Sequence, residues 1–404
     1  MSLKKHRLSD SSDLSNSSNS SNSRDSGVVW SDFIIKNRYI ILNKIGKGSY
    51  CSVWTVYDIN MQELVALKIY NEEVTTDALN EIQVLDIMKT FNLPNVIMHN
   101  DTFNFNYGDD IYVMHTMDLC GYSLNHIIKL FKNDFITDVG IYKKYINFVY
   151  DSNIKLTELI EQLHKNGYCH TDIKPENILI DIPVLENNLY LNKIKKIHSK
   201  LLMNGSEHIN QILHNECKKI VQSIEINDND VKQYLRGFNF SIKLSDFGTA
   251  LKAGDNTIYK KHTQYYKSPK ILLKYELDYT YDYWALGCTL YELLMCEVLF
   301  DPYESELENK YGENDDRNLM YLIVSALGMP DKKILLKSKE SDVFFNSTYN
   351  IPRAYVDIRH NDFINKLIIR SNSIAHSNVH SHEFTKLFEK IVEYVSYSFI
   401  FGEV

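Results

Sequence analysis

Three things are missing from this 404-residue chain, and each absence narrows its class. The six cysteines, at positions 51, 120, 169, 217, 288 and 296, form no CxxC pair and no metal-ligand spacing. They read as reduced, mostly buried thiols of an intracellular protein. The N-terminus has no apolar signal core, and the most apolar stretch, Tyr283–Phe300, is interrupted by Glu292 and Glu297. No membrane span or membrane partner is therefore expected. Nor is there an excess of positive charge: 44 Lys and Arg face 52 Asp and Glu, a formal net charge of −8. That balance argues against direct nucleic-acid binding and favours a basic partner. What is present is a 44% apolar composition, enough for a large core in one two-lobed unit with a tail, or in two small domains.

Residues 1–30 are a Ser/Asn-rich segment with almost nothing to bury and are expected to be a disordered tail. From Tyr39 the pattern turns strand-like. Tyr39–Ile45, Ser52–Asp58 and Leu64–Tyr70 alternate or cluster apolar and β-branched residues between polar breaks, as in a small antiparallel sheet. Thr75–Met88 predicts a helix with Leu79, Ile82, Leu85 and Ile87 on its apolar face. Ile111–Met117 is another strand. Beyond it the pattern is mainly helical, at Ser123–Phe131, Tyr145–Asn166, Trp284–Met295 and Leu319–Leu327. Within residues 181–240, Ile209, Ile212, Leu213, Cys217, Ile220, Val221 and Ile224 make a helical apolar stripe. The stripe either packs on the body of the protein or binds a partner.

The most informative residues are His170-Thr171-Asp172-Ile173-Lys174-Pro175-Glu176-Asn177. They resemble the catalytic loop of a protein kinase, with Thr171 where an Arg is usual. The spacing suits phosphoryl transfer. Asp172 can accept the proton of an attacking hydroxyl, Lys174 can neutralise charge on the moving phosphoryl group, and Asn177 can hold a metal ion. Ile45-Gly46-Lys47-Gly48-Ser49-Tyr50-Cys51-Ser52-Val53 fits the start of G-x-G-x-x-G-x-V, with Cys51 for the third glycine, and lies ahead of Val65-Ala66-Leu67-Lys68. Glycines there let backbone N–H groups approach phosphates. Lys68 is expected to pair with Glu81 on the following helix and to reach the α- and β-phosphates. Asp246-Phe247-Gly248 follows a strand, and its Asp would bind Mg²⁺.

The resemblance covers residues 39–401 and implies a bilobal α+β fold. A small antiparallel-sheet N-lobe spans about 39–116 and a larger helical C-lobe about 120–401. A spacer is inserted at about 181–240 and a further insert at about 301–370. It also implies ATP and Mg²⁺ as cofactors. The loop residues 45–53, Ala66, Lys68 and Glu81 would serve the nucleotide site, with Thr116 as gatekeeper and Met117 and Leu119 at the hinge. Asp282 would support the catalytic-loop backbone rather than react. His-Thr-Asp, Thr76–Ile82 and Thr263–Ser268 are similar to the SR-protein kinases of the CMGC group. That likeness implies Arg/Ser-rich protein substrates for a monomeric serine/threonine kinase. Lys267 and Lys270 depart from the group's usual Arg and Glu, and Lys270 leaves a customary ion pair in question.

Without an Arg at 171, a phosphorylated activation loop loses its main anchor, so activity without that modification is expected. The acidic run from Asp301 to Asp316 reads either as a solvated loop or as a docking surface for Arg-rich substrate. Richness in Asn, Ile, Lys and Tyr points to an AT-rich genome, such as that of a protist or a large DNA virus. The expected compartment is the cytoplasm, the host's if the source is viral, with nuclear shuttling left open. The alternatives are a CMGC-like kinase with another substrate preference and a pseudokinase scaffold. The latter would have lost Lys68, Asp172 or Asp246, and all three are present.

Overall fold

The apolar alternation from Tyr39 onward builds five antiparallel strands, and a two-residue strand ahead of it adds a sixth. They are β1 (Ile34–Ile35), β2 (Tyr39–Lys47), β3 (Cys51–Asp58), β4 (Glu63–Tyr70), β5 (His99–Tyr107) and β6 (Asp110–Met117), in the order β1-β2-β3-β4-β6-β5. The computed structural model describes residues 29–48, 51–70, 75–132, 139–182, 184–205, 208–235, 240–255, 262–303, 315–346, 386–387 and 389–395. Residues 1–28 of the Ser/Asn-rich tail, Ser49, Tyr50, Glu304, Glu306, Glu308, Glu313 and half of the 301–370 insert lie outside these residues. Trp30, at the end of the expected tail, is instead buried against the sheet, because its indole packs with Tyr39 and Tyr112. Strand β5 has no counterpart in the sequence reading. Its half-buried Phe103 and Phe105 alternate with exposed Asn104 and Asn106, and it borders the sheet on one side only, where polar residues are tolerated.

Helix α1 (Thr75–Thr90) links β4 to β5. Its buried face is Ala78, Glu81, Ile82, Leu85 and Met88, whereas Leu79 is exposed. The expected apolar face is thus rotated, because the carboxylate of Glu81 takes an inward position that periodicity assigns to a hydrophobe.

The larger half begins with α2 (Leu124–Phe131), capped by the Ser123 hydroxyl accepting from the His126 N–H at 3.2 Å. Next come α3 (Val139–Lys165), β7 (Tyr168–Cys169) and β8 (Ile178–Ile180). The spacer holds three helices, α4 (Leu185–Met203), α5 (Ile209–Ser223) and α6 (Asp228–Leu235). The chain returns through β9 (Ile242–Leu244), paired with β8, and β10 (Leu251–Lys252), paired with β7. Helix α7 (Thr280–Met295) is the buried axis of this half, and α8 (Asp315–Leu327) flanks it. At Gly287 of α7 a Cβ would lie 2.7 Å from Val395 Cγ2, so only glycine lets the helical residues 389–395 pack this closely.

The stripe on α5 packs inward. Leu213, Cys217 and Ile220 join Tyr190 and Ile194 of α4 against Ile40, Leu42 and Tyr57 of the six-stranded sheet. Each buried Leu or Ile there contributes roughly 1.5–3 kcal/mol. Ile212 of the predicted stripe remains partly exposed.

Candidate active site

Strand register aligns the first group of site residues. Gly46 lies opposite Val53, Val53 opposite Lys68, and Ala66 opposite Met117. The glycine loop, the lysine strand and the hinge therefore stand side by side. Gly48 N–H donates to the Cys51 carbonyl at 2.9 Å, closing the loop. The Cys51 side chain packs with Tyr70, Ala78, Ile82 and Val113. Burial pushes its thiol pKa up, which keeps it protonated and a poor nucleophile. Met117 and Leu119 are half-buried, Ile45 is exposed, and the Thr116 hydroxyl accepts from Asp101 N–H at 3.1 Å.

Lys68 Nζ donates to both Glu81 oxygens, at 2.6 and 2.7 Å, and lies 3.2 Å from Asp246 Oδ1. Burial disfavours the ammonium, but the two carboxylates outweigh it and hold the Lys68 pKa well above the ordinary lysine value. Lys68 in turn holds the Asp246 pKa below the usual carboxylate range. A Cβ at Gly248 would lie 3.1 Å from Glu81 Oε2, so the small residue lets α1 approach the loop after Asp246. Phe247 is buried, with its ring 4.8 Å from that of His170 in an edge contact.

The catalytic-loop backbone is held from beneath. Buried Asp282 accepts from His170 N–H and Thr171 N–H, both at 2.8 Å, and from His164 Nε2 at 2.9 Å. These hydrogen bonds keep its pKa below the usual carboxylate value although burial acts the other way. Thr171 has φ +69°, a strained region for a β-branched residue. Its hydroxyl donates to Thr249 O at 2.7 Å and its carbonyl accepts from His262 at 3.2 Å. Asp172 then receives Lys174 Nζ at 2.6 Å and Asn177 Nδ2 at 3.0 Å on Oδ2, and the Thr263 hydroxyl at 2.8 Å on Oδ1. Lys174 also donates to Thr263 at 2.8 Å.

Thr263 is the residue that sequence reasoning missed as part of the site. The run Thr263–Ser268 is visible in the sequence, but only this geometry links Thr263 to Asp172. Asn177 commits its amide nitrogen to Asp172, leaving the amide oxygen as its cation ligand. With the ionised Asp246, it supplies the hard oxygen donors that suit Mg²⁺. His164, Cys169 and Asp282 also bring potential ligand atoms within 4.8 Å of one another. There, however, the carboxylate is already occupied, and burial raises the Cys169 thiol pKa, so the group is structural.

A second group was not anticipated. A cleft of about 380 Å³ beside Lys174 and Thr263 is lined by Asn125, Glu176, Tyr265, Tyr266 and Glu292. Glu176 accepts from Asn125 Nδ2 at 2.9 Å, and Glu292 accepts from the Tyr266 hydroxyl. Burial pushes the Glu292 pKa up to about 7. The available signal was a carboxylate in the last turns of the mainly apolar α7. Asp316, at the end of the acidic run, is engaged through Oδ1 by Lys267 at 2.6 Å and by Gln264 at 2.7 Å, and its side chain stays about half exposed. Lys270, which replaces the customary Glu, is buried and makes an ion pair of its own with Asp278.

The whole arrangement is that of the protein kinases. The model of the protein kinase domain matches residues 39–397, and the chain belongs to that family. Its relatives are kinases of the CMGC group. A putative dual specificity tyrosine-phosphorylation-regulated kinase 3 homolog of Drosophila melanogaster is 28% identical over 324 residues, 79% of this chain and 29% of that protein. The human dual specificity tyrosine-phosphorylation-regulated kinase 3 is 27% identical over 322 residues, 78% of this chain and 41% of that protein. The serine/threonine-protein kinase SRPK of Physarum polycephalum is 25% identical over 326 residues, 78% of this chain and 72% of that protein. The chain thus spans less than half the length of the first relatives it matches.

Proposed function

We propose that the chain is a serine/threonine kinase that transfers the γ-phosphoryl group of ATP to hydroxyls in basic, Arg/Ser-rich protein segments. The observation that carries this is the joining of Lys68, Glu81 and Asp246 at one end of the cleft between the lobes, with Asp172 braced by Lys174, Asn177 and Thr263 at the other. Lys68, oriented by Glu81, holds the α- and β-phosphates. Asp172 orients the attacking hydroxyl and accepts its proton, and Lys174 offsets charge on the transferring group. Mg²⁺, held by Asn177 and Asp246, would neutralise charge across the phosphates when bound. Loss of Lys68, Asp172 or Asp246 would favour a scaffold instead, and none is lost.

Substrate preference is read from charge. Glu176 and Glu292 line the cleft beside the catalytic loop, where a guanidinium of the substrate would find two carboxylates. The net charge of −8 supports a basic protein partner for a monomeric, cytoplasmic enzyme with no direct nucleic-acid or membrane role. Asp301, Glu304, Glu306, Glu308, Glu313 and Asp315 remain a candidate outer docking run. Thr171 bonds directly to Thr249 and His262, so loop order here draws on these contacts rather than on an Arg–phosphate pair. Activity should not need a phosphate on the loop. The test is phosphorylation of three peptide sets: Arg-Ser-rich, Ser-Pro and acidic. Preference for the first supports the reading. Preference for either of the others would make it a CMGC-like kinase of different specificity.

A further inference from the structure

The spacer leaves β8 in the larger lobe and returns to β9 in the same lobe, yet its longest helix touches both lobes. At the first turn of α4, Leu185 N–H donates to the Tyr122 hydroxyl and that hydroxyl donates to Glu186 Oε2, both at 3.1 Å. Asn188 Nδ2 bonds the Tyr234 hydroxyl at 2.5 Å, tying α4 to α6, whose Val231 and Leu235 sit in the core of the larger lobe. Farther along, Tyr190, Ile194 and His198 recur every four residues on one buried face. Tyr190 and Ile194 meet Ile40, Leu42 and Tyr57 of the sheet. Tyr57 and His198 share a buried hydrogen bond of 2.9 Å. Burial raises the phenol pKa to about 12 and lowers that of the imidazole, so a neutral phenol and a neutral ring share this bond.

Helix α5 fastens the same face to the lead-in segment. His214 bonds Ser31 O at 3.2 Å, Lys218 pairs with Asp32 at 2.7 Å, and Asn210 donates to Asn37 O at 3.0 Å. Between these two anchorages runs the hinge. Asp118 N–H donates to Met98 O at 3.1 Å and Gly121 N–H to Ile180 O at 2.8 Å. A Cβ at Gly121 would lie 1.9 Å from Ile182 O, where the spacer begins. The helical rise from 185 to 198 is roughly 20 Å of stiff rod, fastened to one lobe at its start and to the other over its middle.

We propose that α4 is a splint across the hinge that fixes the angle between the lobes, with Tyr57, Tyr190, Ile194 and His198 as positioning residues for the nucleotide site. The proposal rests on the kinase reading of that site. Lys68 and Glu81 come from the sheet lobe, Asp172 and Asp246 from the other. Their register depends on lobe angle, and a splint holds that angle before any ligand binds. Loosening it lowers the fraction of molecules in the binding-competent arrangement, and apparent nucleotide affinity falls by that fraction.

The test uses the full chain and three variants: Ile194→Ala, Tyr57→Phe, and Leu202→Ala at an exposed position of the same helix. Each is titrated with ADP, assayed for KM(ATP) and kcat, and followed by amide exchange. For Ile194→Ala, KM(ATP) and the ADP dissociation constant should rise roughly three- to tenfold, with kcat at saturating ATP changed less than about twofold. The Asp118 and Gly121 amides should lose protection while the α7 amides of Leu286–Leu290 keep theirs. Tyr57→Phe should act in the same direction but less strongly, and covers the case in which Ile194→Ala does not fold. Leu202→Ala should match the parent. Unchanged ADP affinity and hinge protection in folded variants would overturn the proposal. So would a uniform loss of protection that includes α7, which would make the contact one of general stability. ADP binding and exchange require no phosphoryl transfer, so the splint can fail while the kinase reading stands, and the reverse.

Discussion

The carboxyl group of Glu292 gives the sharpest prediction, because its ionisation falls within the working pH range. Burial raises its pKa from 4.5 to about 7, even though the Tyr266 hydroxyl donates to it. Glu292→Gln keeps the shape and the hydrogen-bonding capacity and removes the charge. A charge-assisted hydrogen bond is worth roughly 1.5–3 kcal/mol, and a value of about 2 kcal/mol within that range corresponds to about 30-fold in affinity for a guanidinium. With a pKa near 7, about nine-tenths of Glu292 is ionised at pH 8 and about one-tenth at pH 6. The ratio of parent to variant kcat/KM on an Arg-containing peptide should therefore fall from roughly 27 at pH 8 to roughly 4 at pH 6, since kcat/KM reports the free enzyme. A peptide with Ala in place of Arg should give a ratio near one at both values. Titration of the substrate affects parent and variant alike and cancels in the ratio. An equal ratio at pH 6 and pH 8 would refute the reasoning, either because Glu292 does not meet the guanidinium or because its ionisation lies elsewhere. The same shift makes a stability prediction of opposite sense. The folded state holds the proton more tightly than the unfolded state, so stability falls as pH rises from about 4.5 through about 7. At pH 8 nearly the whole difference between 4.5 and about 7 is expressed, a cost of about 3 kcal/mol. Glu292→Gln should therefore raise Tm relative to the parent at pH 8 and leave it nearly unchanged at pH 4, as calorimetry would read.

Asp172→Asn should lower single-turnover transfer by roughly 10²–10⁴-fold while ATP affinity stays within about threefold, because the carboxylate acts on the hydroxyl rather than the nucleotide; a variant retaining a tenth of the activity would contradict this. Thr263→Val removes a hydroxyl that bridges Asp172 and Lys174; kcat should fall roughly tenfold, consistent with about one hydrogen bond lost in the transition state, and Thr263→Ser should restore it. Gly121→Ala places a methyl against the Ile182 carbonyl; a loss of roughly 1–3 kcal/mol in denaturant unfolding is expected, and an unchanged midpoint would mean the hinge yields.

Residues that act through local chemistry were legible in the sequence. Lys68, Glu81, Asp172, Lys174, Asn177 and Asp246 sit in short motifs whose spacing is dictated by one catalytic loop or one strand end; the structure joins Lys68, Glu81 and Asp246 in one group and Asp172, Lys174 and Asn177 in another. Contacts made across long separations were not legible. Thr263 reaches Asp172 over 91 residues and Asp282 reaches the His170 backbone over 112; Asp282 was recognisable only by resemblance. Periodicity misjudged α1 because Glu81 occupies a buried position and Leu79 an exposed one. In the spacer it found the strong stripe of α5 but neither α4 nor α6. The buried face of α4 includes Asn187 and His198, which a hydrophobic count does not register. Strand β5 was hidden by its asparagines for the same reason.

The pairing of β8 with β9 has a consequence for how the protein assembles. Ile180 lies opposite Ile242, and Asp181 N–H donates to Ser241 O at 2.8 Å. The whole spacer therefore hangs from a stem closed by one strand pair, with Asn177 just before one strand and Asp246 just after the other. Closing a loop of about 60 residues instead of about four adds roughly four doublings of length, or about 2.4 kcal/mol of chain entropy at 0.6 kcal/mol each. A contact that a short hairpin would make early becomes one of high contact order, and such contacts form slowly. Helices α4 and α5 can form their mutual contacts locally and shorten the effective loop before the stem closes. On that account the spacer helices guide refolding, and the metal-binding end of the site assembles late, after the helices that hold the strands together.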